Sequence, residues 1–186
     1  MVPKSWARRT GDTTEPDRCA RNPVPGNVSC EEFRRIMGSL ASGITVVTSI
    51  GPALCARGLT CSAVCSVSAD PPLLLSCVST GSGTLDALRQ RGSFAVNILD
   101  SQARGVSELF ASQAENKCSG VRWRPGAVTG MPVLDKTLAH AECVVHDLIG
   151  AGDHVIVLGR LIGGSVDSNR DPLGYWRGGY VRFRED

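Results

Sequence analysis

Several stretches of this chain put polar side chains where their neighbours predict apolar strand or tight turn, and each could meet a ligand. Ser79, Thr80, Ser82 and Thr84 crowd together with Gly81 and Gly83 just before a short helical run. Hydroxyls, exposed amides and a helix start can together hold an anion such as a phosphate. The same cluster also fits an ordinary helix cap, for which Ser and Thr are preferred residues. Gly58-Leu59-Thr60-Cys61-Ser62-Ala63 places small hydroxyl and thiol side chains in a strand that should otherwise be apolar. Small residues there let either a flat ring or a neighbouring strand approach closely.

Asn97 lies inside Phe94-Ala95-Val96-Asn97-Ile98-Leu99, where an amide with unmet hydrogen bonds costs roughly 1 to 3 kcal/mol. Something polar must face it, either a ligand or the protein itself. His154 follows Gly152-Asp153 at a strand start, where an imidazole can donate to a substrate amide or phosphate, or act as an acid near neutral pH. His140 and His146 have no partner at useful spacing and read as structural. Gly-x-Ser-x-Gly and HExxH are absent, and neither a P-loop nor GxGxxG stands between strand and helix. Hydrolase, zincin and Rossmann dehydrogenase chemistry are thereby disfavoured. What is left is cofactor chemistry, in which the protein positions a reactive molecule and contributes few reacting groups of its own.

The elements that would position these groups can be followed along the chain. Residues 1–27 are rich in Arg, Pro, Thr, Asp and Gly without periodicity, and are expected to form a mobile tail ahead of one domain over 28–186. Ser29 can cap a helix with Glu32 reaching back, Phe33, Ile36, Met37 and Leu40 then fall on one face, and Gly43 is placed to stop it. From Ile44 the period changes to strand, Gly51-Pro52 turns, and a second run continues through Leu59 towards Val67. Asp70-Pro71-Pro72 interrupts, and Leu73 to Val78 resumes as a buried strand. A short helix with Leu85 and Leu88 inward follows, then a strand at 94–99, a helix from about Ser101 to Ser112, and an irregular stretch to Pro132. Leu138 to Ile149 and His154 to Ile162 are long apolar runs joined by Gly150-Ala151-Gly152-Asp153, a strong hairpin signal.

Composition narrows the function further. A chain of 186 residues with 42% hydrophobic content can bury a core without staples, and 21 glycines against 5% aromatic residues favour sheets and tight turns. The 20 basic and 18 acidic residues nearly cancel without long runs, so a nucleic-acid partner is not expected. The eight cysteines contain no CxxC pair and mostly sit in Val/Leu/Ser-rich runs, which reads as buried free thiols with no metal site. No apolar stretch approaches membrane-spanning length, and a cytoplasmic protein is expected.

Taken in order, Ser42-Gly43-Ile44-Thr45-Val46-Val47-Thr48, Gly58 to Ser62, Val67-Ser68-Ala69-Asp70-Pro71-Pro72-Leu73, the 79–84 loop, Phe94 to Leu99, Gly130-Met131-Pro132-Val133-Leu134, Ala151-Gly152-Asp153-His154 and the Tyr175 to Tyr180 ending resemble the flavin reductase-like family. The resemblance runs from about Phe33 to Phe183. It implies a mainly β fold, a flavin-binding split β-barrel with peripheral helices, usually homodimeric. The spacing is most similar to actinobacterial reductases that feed reduced flavin to oxygenases of antibiotic pathways, including enediyne pathways.

Carried across by residue, the resemblance implies that Thr60, Cys61 and Ser62 line the flavin ring and ribityl chain. Ser79, Ser82 and Thr84 would hold its phosphate, with Phe94 and Asn97 near the flavin. His154 would stand beside the nicotinamide as the catalytic residue, with Tyr175, Arg177 and Tyr180 closing over it. FAD or FMN would accept hydride from NADH, preferred over NADPH because no basic cluster for a 2′-phosphate is visible in the sequence. The partner implied is a flavin-dependent monooxygenase supplied by diffusion. The family often carries Asp-Arg/Lys-Phe before a Gly-Val pair; here Asn116-Lys117-Cys118 precedes Ser119-Gly120-Val121, which removes an aromatic wall. Two other readings share the barrel: a flavin, deazaflavin or haem carrier without turnover, and an enzyme similar to pyridoxamine-phosphate oxidases.

Overall fold

The structure, a computed structural model, describes Gly26, residues 28–114 and residues 116–183. The expected tail over 1–27 therefore lies almost wholly outside the described residues.

Helix α1 (Cys30–Met37) begins as its sequence dictates, with the Ser29 side chain accepting from the Glu32 amide. It ends earlier than Gly43, because the Gly38 and Ser39 amides close on the carbonyls of Arg34 and Ile36. Gly43 instead belongs to strand β1 (Ser42–Gly43). The apolar side of α1 is not covered by the barrel: Phe33, Ile36, Met37 and Leu40 are all exposed.

Strands β2 (Thr45–Ile50) and β3 (Ala56–Cys61) form a hairpin around a short 3-10 turn at Pro52–Leu54. The run that reads continuously towards Val67 breaks after Cys61, giving β4 (Val64–Ala69), which pairs with β5 (Pro72–Ser79). Helix α2 (Gly83–Arg91) leads into β6 (Ser93–Leu99), and α3 (Arg104–Ala111) is shorter than its sequence signal. The stretch up to Pro132 is not wholly irregular, since β7 (Trp123–Pro125) pairs with β8 (Pro132–Leu134).

Strands β9 (Thr137–Ala151) and β10 (His154–Val166) make the long expected hairpin, with Gly152 at φ +64 opening its two-residue turn. Glycine accepts that left-handed backbone, and the resulting turn matches the twist of paired strands. Finally β11 (Leu173–Trp176) and β12 (Gly179–Arg182) pair with each other and β11 with β1.

The main sheet has seven strands in the order β3-β2-β6-β9-β10-β5-β4, with all its described pairings antiparallel. This is the mainly β architecture that the sequence predicts, with helices at the periphery. One core cluster joins Val47, Val78, Phe94 and Val157 to Leu85 and Leu88 of α2. Burying each such side chain contributes about 1.5 to 3 kcal/mol, and here it fixes α2 on the main sheet. A second cluster joins Ile44, Leu99, Phe110, Leu134 and Leu173. Close approaches are glycine-dependent: a Cβ on Gly159 would fall 2.4 Å from the Phe94 ring.

Candidate functional site

The start of α2 is set by Ser82, whose hydroxyl accepts from the Thr84 amide at 3.2 Å. Across from it β3 presents Arg57 and Gly58, and the segment after α3 presents Gln113, Asn116 and Lys117. Between them is an open cleft of about 220 Å³, lined also by Ala56, Gly83, Thr84 and Ala114. The nine-residue helix contributes its N-cap Ser82 and its first residues Gly83 and Thr84 to the lining, and two cationic residues border it. That combination favours an anion, because helix-end amides and cations stabilise the same charge. The Lys117 ammonium is held by the carbonyl of Phe110 at 3.0 Å.

The loop before α2 is tied to the β9–β10 hairpin. Ser79 lies opposite His154 in the β5–β10 register, and both the amide and the hydroxyl of Thr80 donate to the Asp153 carbonyl. His154 is half-buried, with Nδ1 2.6 Å from Asp153 Oδ1, so its ring is oriented by its neighbour while keeping some access to solvent. Ser79, Ser82, Thr84 and His154 thus lie in one region linked through the Thr80–Asp153 bonds.

Other expected residues are placed differently. Thr60 is buried and its hydroxyl donates to the Ser107 carbonyl at 2.7 Å. Cys61 is wholly buried, its thiol directed at the carbonyls of Cys77 and Ala63. Phe94 is buried against Gly159. Asn97 donates to the Val46 and Pro132 carbonyls and to Thr48 Oγ1, and accepts from the Leu134 amide. The side-chain polar atoms of Thr60, Cys61 and Asn97 are thus bonded within the barrel wall, which these residues and Phe94 build. Ser62, in the turn between β3 and β4, is half-buried.

Tyr175 and Tyr180 pack edge to face at 5.4 Å, and the Tyr180 hydroxyl donates to Ser107 Oγ at 3.0 Å. Burial raises the pKa of both phenols, so they stay protonated at neutral pH. Neither lines the cleft, and Arg177 lines a separate cavity with Arg34 and Arg35.

Sequence reasoning passed over Arg57 and Gln113, and quoted Asn116 and Lys117 only for their departure from the family pattern. Nothing in local periodicity marks them, since they meet only through the β3 hairpin and the turn after α3. Cys118 turns inward into the core with its thiol pushed up to about 11 by burial, and so does Cys143, pushed up to about 12. These are structural thiols rather than nucleophiles. Six cysteines are free among the described residues, three of them buried, whereas Cys30 is disulfide-bonded, which corrects the all-thiol expectation at that position outside the core. Among the described residues no group of three metal-ligating side chains occurs, and no helix is long and apolar enough to cross a membrane.

Comparison with known proteins agrees with this geometry. Residues 37–184 match the model of the flavin reductase like domain. A flavin reductase (NADH) of Kitasatospora aureofaciens is 46% identical over 162 residues, covering 86% of this chain and 85% of that protein. A flavin reductase (NADPH) of Lentzea aerocolonigenes is 40% identical over 139 residues, covering 74% of this chain and 81% of its own length. The crystal structure of a nitrilotriacetate monooxygenase component B homologue from Mycobacterium thermoresistibile superposes with a TM-score of 0.78 at 36% identity, over 83% of this chain and 86% of that one. The chain belongs to the flavin reductase-like family.

Proposed function

We propose that this chain is an NAD(P)H:flavin oxidoreductase, delivering reduced FAD or FMN to a partner monooxygenase. The observation that carries the reading is the cleft at the start of α2, where Ser82, Gly83 and Thr84 meet Arg57 and Lys117. Its lining fits the phosphate of a flavin: the positive end of a helix, the Ser82 and Thr84 side chains and two cations, with no described carboxylate in the lining. Ser79, Ser82 and Thr84 with Arg57 and Lys117 would hold that phosphate, and Ser62 would lie along the ribityl chain. Thr60, Cys61, Phe94 and Asn97 shape the wall behind.

A bound flavin would supply the redox chemistry, as acceptor of the nicotinamide hydride. The chain's own part is positioning. His154, oriented by Asp153, is read as the residue beside the nicotinamide, and it has the donor needed to fix an amide or phosphate. Tyr175 and Tyr180 brace the tail against α3.

The finer readings have their own support. A homodimer is favoured by the uncovered side of α1, where Phe33, Ile36, Met37 and Leu40 form an exposed apolar face. One domain over 28–186 with 1–27 as a tail, and a cytoplasmic location, rest on composition. A role in antibiotic-type biosynthesis rests on the order of motifs.

The deciding experiment is NADH and NADPH oxidation at 340 nm with FAD, FMN or no flavin, run aerobically and anaerobically. Turnover that saturates with free flavin is expected; no turnover with any pair would replace the reductase by a flavin-binding protein. His154→Ala is expected to lower kcat/KM for the nicotinamide while the flavin Kd stays within about twofold.

A further inference from the structure

The last turn of α1 carries Arg34 and Arg35, and the turn between β11 and β12 carries Arg177. The fold brings them around a single concavity of about 520 Å³, completed by Gly38, Ser39 and Gly178. Arg177 is held rather than loose. Its backbone sits at φ +47, its amide donates to the Gly38 carbonyl at 2.9 Å, and its guanidinium lies 4.4 Å over the Trp176 ring. Trp176 is itself fixed, with Nε1 donating to the Ser39 carbonyl at 3.1 Å. Neither Arg34 nor Arg177 pairs with a carboxylate among the described residues, and Arg35 reaches Glu32 only at 3.8 Å in an exposed i,i+3 contact.

Three arginines lining one hollow concentrate positive charge there, which a bound anion would offset. A planar fork of donors matches phosphate oxygens, and the preorganised Arg177 loses little freedom on binding. At Gly178 nothing lies within 4 Å of where a Cβ would stand, so that side of the hollow is open. The cleft at the start of α2 already provides for one phosphate, and it shares no lining residue with this hollow. We infer that the Arg34–Arg35–Arg177 hollow is a second phosphate site, which takes a phosphate of the nicotinamide dinucleotide. It rests on the reductase reading for the identity of its nucleotide, and it supplies the basic cluster that no local run of the sequence displays.

The test is calorimetric binding of 2′,5′-ADP, 5′-ADP, FMN and riboflavin to the full chain and to Arg34→Gln and Arg177→Gly. Glycine suits the left-handed backbone at 177, so the second variant keeps its turn even if the first perturbs α1. Each variant is expected to weaken an adenosine phosphate about tenfold, and added salt to weaken the wild type. Tighter binding of 2′,5′-ADP than 5′-ADP places the 2′-phosphate of NADPH there; equal binding places the diphosphate. Loss confined to FMN relative to riboflavin would overturn the assignment to the nicotinamide nucleotide, and unchanged binding in both variants, or no binding of any probe, would overturn the site. The oxidation assay on the same preparations separates the two claims. Turnover with phosphate binding that ignores both arginines sinks the site alone, and arginine-dependent binding without turnover sinks the reductase reading alone.

Discussion

Thr80 donates twice to one acceptor: its amide and its hydroxyl lie 3.0 and 3.1 Å from the carbonyl oxygen of Asp153. The pair joins the loop that would hold the flavin phosphate to the hairpin that carries His154, and it does so on Asp153, the residue whose side chain orients the imidazole. Thr80→Val removes one of the two bonds and leaves the backbone bond in place. The hydroxyl bond contributes about 0.5 to 1 kcal/mol, so kcat/KM for the nicotinamide is expected to fall about two- to fivefold. In the His154→Ala background the same substitution is expected to have no further effect, because the loop then positions nothing that acts. Full additivity in that double-mutant cycle would uncouple Thr80 from His154.

Asn97 offers a sharper separation between wall and pocket. Its amide nitrogen donates to three acceptors and its oxygen accepts from the Leu134 amide at 2.8 Å, all within a fully buried environment. Asn97→Ala leaves that amide and Thr48 short of a partner, and is expected to destabilise the fold by about 2 to 3 kcal/mol in urea unfolding. Flavin affinity of the protein that remains folded is expected to be unaltered. A weakened flavin Kd at a temperature where the variant is fully native would return Asn97 to the ligand.

What the sequence made legible here follows the range of the interaction. Ser29 and Glu32 cap α1 because their spacing is three residues, and Gly152 turns the β9–β10 hairpin because the turn needs its φ. The end of α1 is not legible locally because either Gly38 or Gly43 can stop a helix, and only the tertiary pairing of Gly43 with Gly174 decides between them. For the polar strand residues Thr60, Cys61 and Asn97, a sequence shows that a buried polar group needs a partner, ligand or protein, without showing that Ser107, Cys77 or Val46 supplies it. Arg57 with Lys117, and Arg34 with Arg177, meet only after the sheet has closed. A cluster assembled from distant positions leaves no basic run to find.

Gly58 couples barrel packing to the cleft. A Cβ there would lie 2.6 Å from Phe110 Cε1 and 3.2 Å from Thr48 Cγ2, and Phe110 has no room to retreat inside its cluster. Gly58→Ala is expected to cost about 1 to 3 kcal/mol by overpacking. Because the Phe110 carbonyl holds Lys117, a displaced Phe110 is expected to weaken flavin phosphate binding as well. Phe110→Leu in combination should recover part of the melting temperature. Gly81→Ala is the control, since nothing lies within 4 Å of the added carbon and stability should be unchanged within about 0.5 kcal/mol. Equal effects of the two glycine substitutions would remove the steric account.

The loop before β8 gives the fold its own acid sensitivity. Glu142 is 1% exposed, and its Oε2 accepts from the Thr129 amide at 2.6 Å, from the Thr129 hydroxyl at 2.7 Å and from the Val128 amide at 3.1 Å. Burial acts to raise its pKa, but the Thr129 and Val128 bonds outweigh it and hold the carboxyl below its ordinary value. His140, whose Nε2 is 4.0 Å from Glu142 Oε1, is shifted below its ordinary value as well, first by burial and then by Arg124, with Glu142 opposing. Both groups bind fewer protons when folded than when unfolded, so both stabilise the fold above their ordinary pKa values and stop doing so as the pH falls. The melting temperature is therefore expected to decline in two stages on acidification: a first as the pH drops below about 6.5, from His140, and a second below about 4.5, from Glu142. His140→Gln should erase the first stage and keep the second. Glu142→Gln, which retains an acceptor oxygen, should lower stability at neutral pH and flatten the second. A single unbroken decline that neither substitution reshapes would place the acid sensitivity elsewhere in the chain.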